Sequence, residues 1–467
     1  MNTKNGAKDW ILSQNHTLFR LIGNQNNRGG LTLLTNKYDT AVIGGGLAGF
    51  IAAIYLAKGG HSVALIEKSG RWGGRAITTK KNQVYLNLGG HALYQAGKAF
   101  SILQELGVDL EGGKPASHIH AIWNNQTLPL LAGPASLLSS RLLTWSNKIN
   151  LMRLMMKIKQ LDPHQIGPGS LRAWAENEIK DPMVRHIFYA LCRTSTYTHA
   201  PDYQLAGPAL AQVQRSLQGV LYLNNGWQTV IDQLKVKAEQ AGVHLVSGKS
   251  VTEIVHEQGK VRSVALEGGD SLEAHHVIST ASPSELYKLV RGAELTELKR
   301  WKERARPVVA ACLDVGLKKL PNTEREFAIG LDQPVFISHH TAHARLSDDG
   351  SRVVHLVKYI GQEESDPDTD EKMLTAAMNL IQPGWEQEVV TRRFLPRITV
   401  THNYLHVGQP ESFAGPAVPE IQGLFVAGDW VSQGEMLADA SAASAVRAAQ
   451  SIIQKWQQDL VEISARR

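Results

Sequence analysis

Gly44, Gly46 and Gly49 stand in the spacing G-x-G-x-x-G, and an acid, Glu67, follows eighteen residues after the last of them. This combination can hold a dinucleotide. The first glycine permits a tight turn, the second lets the backbone approach a pyrophosphate, and the third lets a helix lie close on a strand. Free N–H groups and the dipole at the helix start, where Leu47 and Ala48 lie, favour the phosphate charge. Glu67 can accept hydrogen bonds from an adenosine ribose, and its charge repels a 2′-phosphate, which disfavours NADP. Lys68 follows the acid and is assigned to the same cradle.

The flanking sequence suits the positioning of such a loop. Residues 39–43 are a short apolar run of the kind buried in parallel sheets, 47–56 an Ala-rich helix, and 62–66 a second apolar strand. Strand, turn, helix, strand and acid follow in the order of a mononucleotide-binding half. The expected fold class is therefore α/β, with a Rossmann-like nucleotide domain.

Gly73-Gly74-Arg75 comes directly after this unit, and a glycine pair with an arginine is foreign to simple NAD dehydrogenases. Here the chain resembles the superfamily of flavin-containing amine oxidases and phytoene desaturases, whose members share the nucleotide motif, the acid and then GG-R. The resemblance implies FAD, held non-covalently, with Gly74 and Arg75 close to its pyrophosphate, a use suited to a planar, permanently charged fork. The segment Asn87-Leu88-Gly89-Gly90-His91-Ala92 is similar to the family stretch that passes beside the flavin, with Asn87 where an acid is usual. Gly89, Gly90 and His91 are assigned to the cofactor on that basis.

Near the C-terminus, residues 423–429 read as a strand ending in an acid and 434–449 as an Ala-rich helix. In the family, the counterparts of Gly428 and Asp429 meet the ribityl–pyrophosphate region. Those of Met436, Leu437 and Ala438 approach the pyrimidine edge of the isoalloxazine, where a helix N-terminus stabilises negative charge on N1 and C2=O of the reduced ring. The backbone at Val251 is implied to meet the adenine. The resemblance also implies a flavin domain assembled from three stretches, 38–113, 219–290 and 391–467. An inserted α+β substrate-binding domain takes 114–218 and 291–390.

Several local expectations accompany this plan. The turn after residues 220–223 carries Asn225 where a glycine is common, and asparagine tolerates the left-handed backbone needed there. A helix follows over 228–241, with strands over 243–247 and 251–255. A hairpin is read over 261–276 about Gly268-Gly269, then a further strand over 277–281. In the insert, residues 130–161 are apolar and Met-rich, with Leu151, Leu154, Met155 and Ile158 at helical spacing. They suit a cavity wall, a patch resting on a membrane or ordinary core. A single helix is expected over 170–191, strands over 308–315 and 353–360, and a solvated turn over 366–370. His339, His340 and His343 lack a carboxylate or cysteine partner at ligand spacing, so no metal is expected, and they are placed in a polar part of the cavity or facing water.

The 467 residues are 43% hydrophobic and 20% charged, with a net charge of +6. That is an ordinary globular composition with two or three domains' worth of core. Nothing in it marks a nucleic-acid binder, and the charge leaves contact with an acidic membrane surface open. Only two cysteines, Cys192 and Cys312, are present and far apart, which favours a reducing, cytoplasmic compartment. Residues 1–37 lack apolar periodicity and read as an extension outside the core. A homodimer is compatible with all of this.

Three functions fit. Flavin can take hydride from a C–C bond of an apolar or natural-product substrate, as in the desaturases, or from a C–N bond, as in the amine oxidases, with oxygen, a quinone or another acceptor reoxidising it. A third is a non-catalytic binder, since prenyl-protein escort proteins share the fold. Residues 308–312 lack the lysine that many amine oxidases place near the flavin, which leans the reading toward the first. Candidates for the reaction face are His91, able to move a proton near neutral pH or to cap a turn, and Trp227 and Tyr404, as aromatic surfaces against the ring.

Overall fold

The computed structural model describes residues 37–115, 119–131, 142–362, 365–409 and 415–465. The extension expected over 1–37 therefore lies outside the described residues except for Lys37.

Seven strands form a sheet around the nucleotide motif. Lys37–Ile43 lies between Val63–Glu67 and Ser271–Ser279, parallel to both, and His244–Ser247 continues the parallel set beyond Val63–Glu67. Leu424–Val426 adds in parallel to Ser271–Ser279, while Lys260–Leu266 and Val251–Glu257 make an antiparallel extension. Both faces of the parallel part are covered, so its central stretches, residues 41–43, 63–66, 277–278 and 424–426, are apolar runs instead of alternating. Helices Leu47–Lys58, Lys98–Glu105, Gln228–Gln240 and Leu437–Ala465 pack on one face; Pro283–Leu289 and Glu297–Arg304 pack on the other. The separate strand expected over 277–281 is the second half of Ser271–Ser279. One continuous strand serves the hairpin in its first half and pairs with Leu424–Val426 in its second.

A second seven-stranded sheet runs in the order Val389–Thr401, Val308–Leu317, Arg352–Ile360, Val335–His339, Phe327–Gly330, Ile119–Trp123, Gln126–Leu131. Every residue of Val308–Leu317 is buried. Helix Pro367–Ile381 packs against this sheet, and a helical cluster formed by Trp145–Gln160, Leu171–Glu178, Pro182–Thr196 and Ala206–Leu217 joins it at Ala121 and Ile329. Val389–Thr401 crosses residue 390, where the sequence reading put a boundary.

Three local expectations are corrected. The helix read over 170–191 is two: Ser170 caps Leu171–Glu178, and Asp181 caps Pro182–Thr196. An Asp-Pro pair starts a helix, because the carboxylate accepts a free N–H and proline needs none. The same pairing at Asp366-Pro367 turns the supposed solvated turn into the start of Pro367–Ile381, with Asp370 buried against Lys358 and Ser365. His339 and His340 are buried, and His340 stacks on Tyr222 at 3.7 Å between ring centroids, so neither faces water. Among the described residues no group of three or more His, Cys, Asp or Glu could hold a metal ion.

Candidate active site

The glycine loop shows why each glycine stands where it does. A Cβ on Gly49 would lie 1.8 Å from the Gly44 carbonyl oxygen, and one on Gly44 would lie 2.2 Å from Thr280 Oγ1. Gly46, by contrast, has open space: the nearest atom to a Cβ there is Gly73 O, 3.8 Å away. Helix Leu47–Lys58 begins at Gly46 with no side-chain cap. Its first N–H groups are left to a ligand or water. Glu67 braces the loop, one oxygen accepting from Gly45 N–H at 2.7 Å and the other from Ser69 N–H at 2.8 Å. Gly73 N–H donates to Gly45 O at 2.9 Å, tying the second glycine turn to the first. Gly49→Ala should therefore part helix from strand and cost about 3 kcal/mol, read as a lowered urea midpoint.

Asp429 is the next fixed point. The strand Leu424–Val426 delivers it past Gly428, and its side chain is only 4% exposed. It accepts hydrogen bonds from the Arg75 guanidinium and from the His402 main-chain N–H, and His402 Nδ1 lies 3.1 Å from it. Burial alone would raise this acid, but the Arg75 charge, with the hydrogen bonds from His402 and Arg75, outweighs it and holds the carboxyl far below the usual range. Arg75 also donates to Val400 O at 2.9 Å, so it joins the glycine pair to the end of Val389–Thr401.

A small cleft of about 20 Å³ lies beside Asp429. Tyr404, Met436 and Leu437 line it together with Thr196, Asn403 and Glu435. Leu437 opens the last helix with φ of +58°, a left-handed setting that costs a side-chain-bearing residue about 1–2 kcal/mol.

Behind this cleft, Asp439 points at the start of helix Lys98–Glu105, where its Oδ1 accepts from Ala99 N–H at 2.9 Å. Its Oδ2 is buried without a hydrogen-bond partner. Burial pushes this acid up to about 6. A raised folded value means the native state binds the extra proton. Stability is therefore expected to fall as pH rises from the unfolded value near ~4 through about 6. Asp439→Asn should flatten that limb by about 3 kcal/mol, checked by denaturant unfolding between pH 4 and 7.

The loop at Gly89 is held from several sides. His91 Nδ1 lies 3.1 Å from Gly89 O, so that nitrogen carries the proton if the bond is made, and the Tyr197 hydroxyl donates to Gly90 O at 2.7 Å. Burial lowers the His91 pKa and keeps the ring neutral. Its edge meets Trp227 at 5.9 Å between centroids. Asn87 Oδ1 accepts from Thr78 Oγ1 and Trp227 N–H at 2.6 and 3.0 Å, which gives the asparagine a structural role of its own. Beneath the loop, His355 Nδ1 sits 2.6 Å from Asp314 Oδ1, and Arg393 Nε donates to Asp314 Oδ2 at 3.1 Å.

The family model of the flavin containing amine oxidoreductases matches residues 47–453. The chain belongs to that family. Among solved structures, an oxidoreductase from Methanosarcina mazei shares 17% identity with it at a TM-score of 0.73, covering 89% of this chain and 100% of that one. Putrescine oxidase bound to putrescine shares 17% at 0.71, covering 90% and 99%. These likenesses establish the fold. L-amino acid oxidase Cdc18 from Crotalus durissus cumanensis is 45% identical over 62 residues, which is 13% of this chain and 12% of that protein.

For a flavin amine oxidoreductase, the structure brings Tyr404, Asp429, Met436 and Leu437 to one cleft and places His91 with Trp227 at the Gly89 turn. Trp227 is buried in the core at the start of helix Gln228–Gln240 and does not line that cleft. Lys68 is exposed, and Val251 is half-buried at the start of Val251–Glu257. The sequence reading missed His402, Asp439 and the Asp314–His355–Arg393 group. His402 could have been sought as the residue after a β-branched run that ends at Thr401. The others carry no local signal, since their partners lie far away in the chain.

Proposed function

We propose that the protein is an FAD-dependent oxidoreductase that takes hydride from a C–H bond of a small, apolar or natural-product substrate. Bound FAD supplies the hydride acceptor at N5. The chain's own groups have separable tasks. The open end of Leu47–Lys58 at Gly46 and Gly74 would receive the pyrophosphate, with Arg75 as the charge beside it. Each oxygen of Glu67 keeps a lone pair beyond its backbone bond and can take a ribose hydroxyl. Gly89, Gly90 and His91 would lie along the ring, and the Leu437 turn would present N–H groups to its pyrimidine edge. The stretches 38–113, 219–290 and most of 391–467 make the flavin domain in this reading. Reoxidation by oxygen or a quinone, a homodimer and a cytoplasmic site of action remain part of the proposal.

One observation carries the choice of substrate. Glu435, the lining carboxylate that the cofactor does not claim, is already paired with Arg447 at 2.7 Å, so a substrate ammonium finds no free acid there. Cys312, packed against Gly89, is buried and its thiol pKa is raised well above normal, which supports non-covalent binding of the flavin. Amine oxidation is the second reading, favoured by the likeness to putrescine oxidase. The test is anaerobic flavin reduction by a panel of amines, L-amino acids and apolar alkane or alkene donors. Bleaching by an amine or amino acid alone would overturn the first reading; a purified protein that binds no FAD would overturn both.

A further inference from the structure

The helix Trp145–Gln160 has two apolar faces, and only one is used. Leu151, Leu154 and Ile158 are buried in the helical cluster beside the second sheet. On the outward side, Trp145 is 65% exposed, Ile149 42%, Met152 46% and Met156 56%. Their steps of four, three and four residues make one stripe along the helix. Such a stripe is unneeded for folding, because the inward face already anchors the helix.

The charges select the partner. The helix contains Lys148, Arg153, Lys157 and Lys159 and no acid. Lys148 Nζ lies 4.9 Å from the centre of the Trp145 ring, while Lys157 pairs with Glu178. Arg153 and Lys159 flank the stripe in exposed positions. A second copy docking by the same face would bring cation against cation, since a two-fold contact is self-complementary. A surface that is apolar and anionic at once fits better. Trp and Met beside Lys and Arg on a helix too polar to span are suited to the boundary of acyl chains and headgroups. Among the described residues no helix is long and apolar enough to cross a membrane.

We propose that the outward face of Trp145–Gln160 docks the protein on an anionic lipid bilayer, with Trp145, Ile149, Met152 and Met156 entering the headgroup layer and Arg153 and Lys159 meeting lipid phosphates. This goes beyond the flavin chemistry and does not depend on it.

Full-length protein is to be spun with vesicles of phosphatidylcholine alone or with phosphatidylglycerol added. Binding should need the anionic lipid and weaken with salt. Ile149→Ser/Met152→Ser/Met156→Ser should lower binding about tenfold or more with an unchanged melting temperature, since those side chains are exposed. Arg153→Glu/Lys159→Glu should lower it to a similar degree. Brominated lipid should quench fluorescence in the wild type and less in Trp145→Phe. Equal binding by the triple-serine variant, no binding of wild type to anionic vesicles, or a wild-type dimer that the triple-serine variant dissolves would each overturn the proposal; the last would make the face a self-interface.

Discussion

Asp429→Asn is expected to leave the protein largely colourless, weakening FAD binding by at least 100-fold. The carboxylate is nearly inaccessible and holds three groups at once: the Arg75 guanidinium, the His402 N–H and the His402 ring. Asparagine keeps the shape but removes the charge, and its NH2 must face one of these donors. The loss of a charge-assisted bond to a buried acid is worth about 3 kcal/mol, the low end for a buried pair because Arg75 is partly exposed. Fluorescence titration of apoprotein with FAD measures the change. Arg75→Lys should fall in between, since lysine keeps the charge and loses the fork that reaches Asp429 and Val400 together. Wild-type affinity in Asp429→Asn would show that the cluster is structural alone.

The second large effect is on stability. Asp314→Asn should lower the unfolding free energy by about 3–5 kcal/mol, because Asp314 and His355 are fully buried and Arg393 is half-buried. Burial would raise this acid, but the His355 and Arg393 interactions overcome it and its pKa is lowered. The sign follows. A depressed folded value gives stability that is present above the unfolded value of about 4 and is lost as pH falls through the folded one. The gap between wild type and variant should therefore be widest near neutral pH and close in acid. A constant gap across pH 3–7 would place the loss in packing instead of charge.

What could be read in the sequence is what is encoded locally. Gly44, Gly46 and Gly49 declare their turn because the sterics act within a few residues. Asn225, at φ of +58°, adopts the left-handed backbone expected of it. The parallel strands were visible because both their faces are covered, so apolar runs replace alternation. Misreadings arose where two nearby signals compete. Asp181-Pro182 lies inside an apolar pattern that reads as one helix and Asp366-Pro367 reads as a turn, yet each pair starts a new helix. His339 and His340, which the sequence leaves between a polar cavity and water, are buried against Glu326 and Tyr222. Asp439 is harder still, since its meaning depends on Gly97, whose Cβ would lie 2.2 Å from Oδ1.

The bond between Arg75 and Asp429 joins positions 354 residues apart. During synthesis, the glycine loops leave the ribosome long before the acid that completes their cradle. The Lys37–Ile43 strand likewise waits for Ser271–Ser279 before it has both neighbours. Closure over such separations is slow and exposes apolar strand edges meanwhile. Nascent chains halted before Leu424 would thus present an unfinished nucleotide sheet, a natural client for chaperones, and cofactor capture would be a late event in the making of this protein.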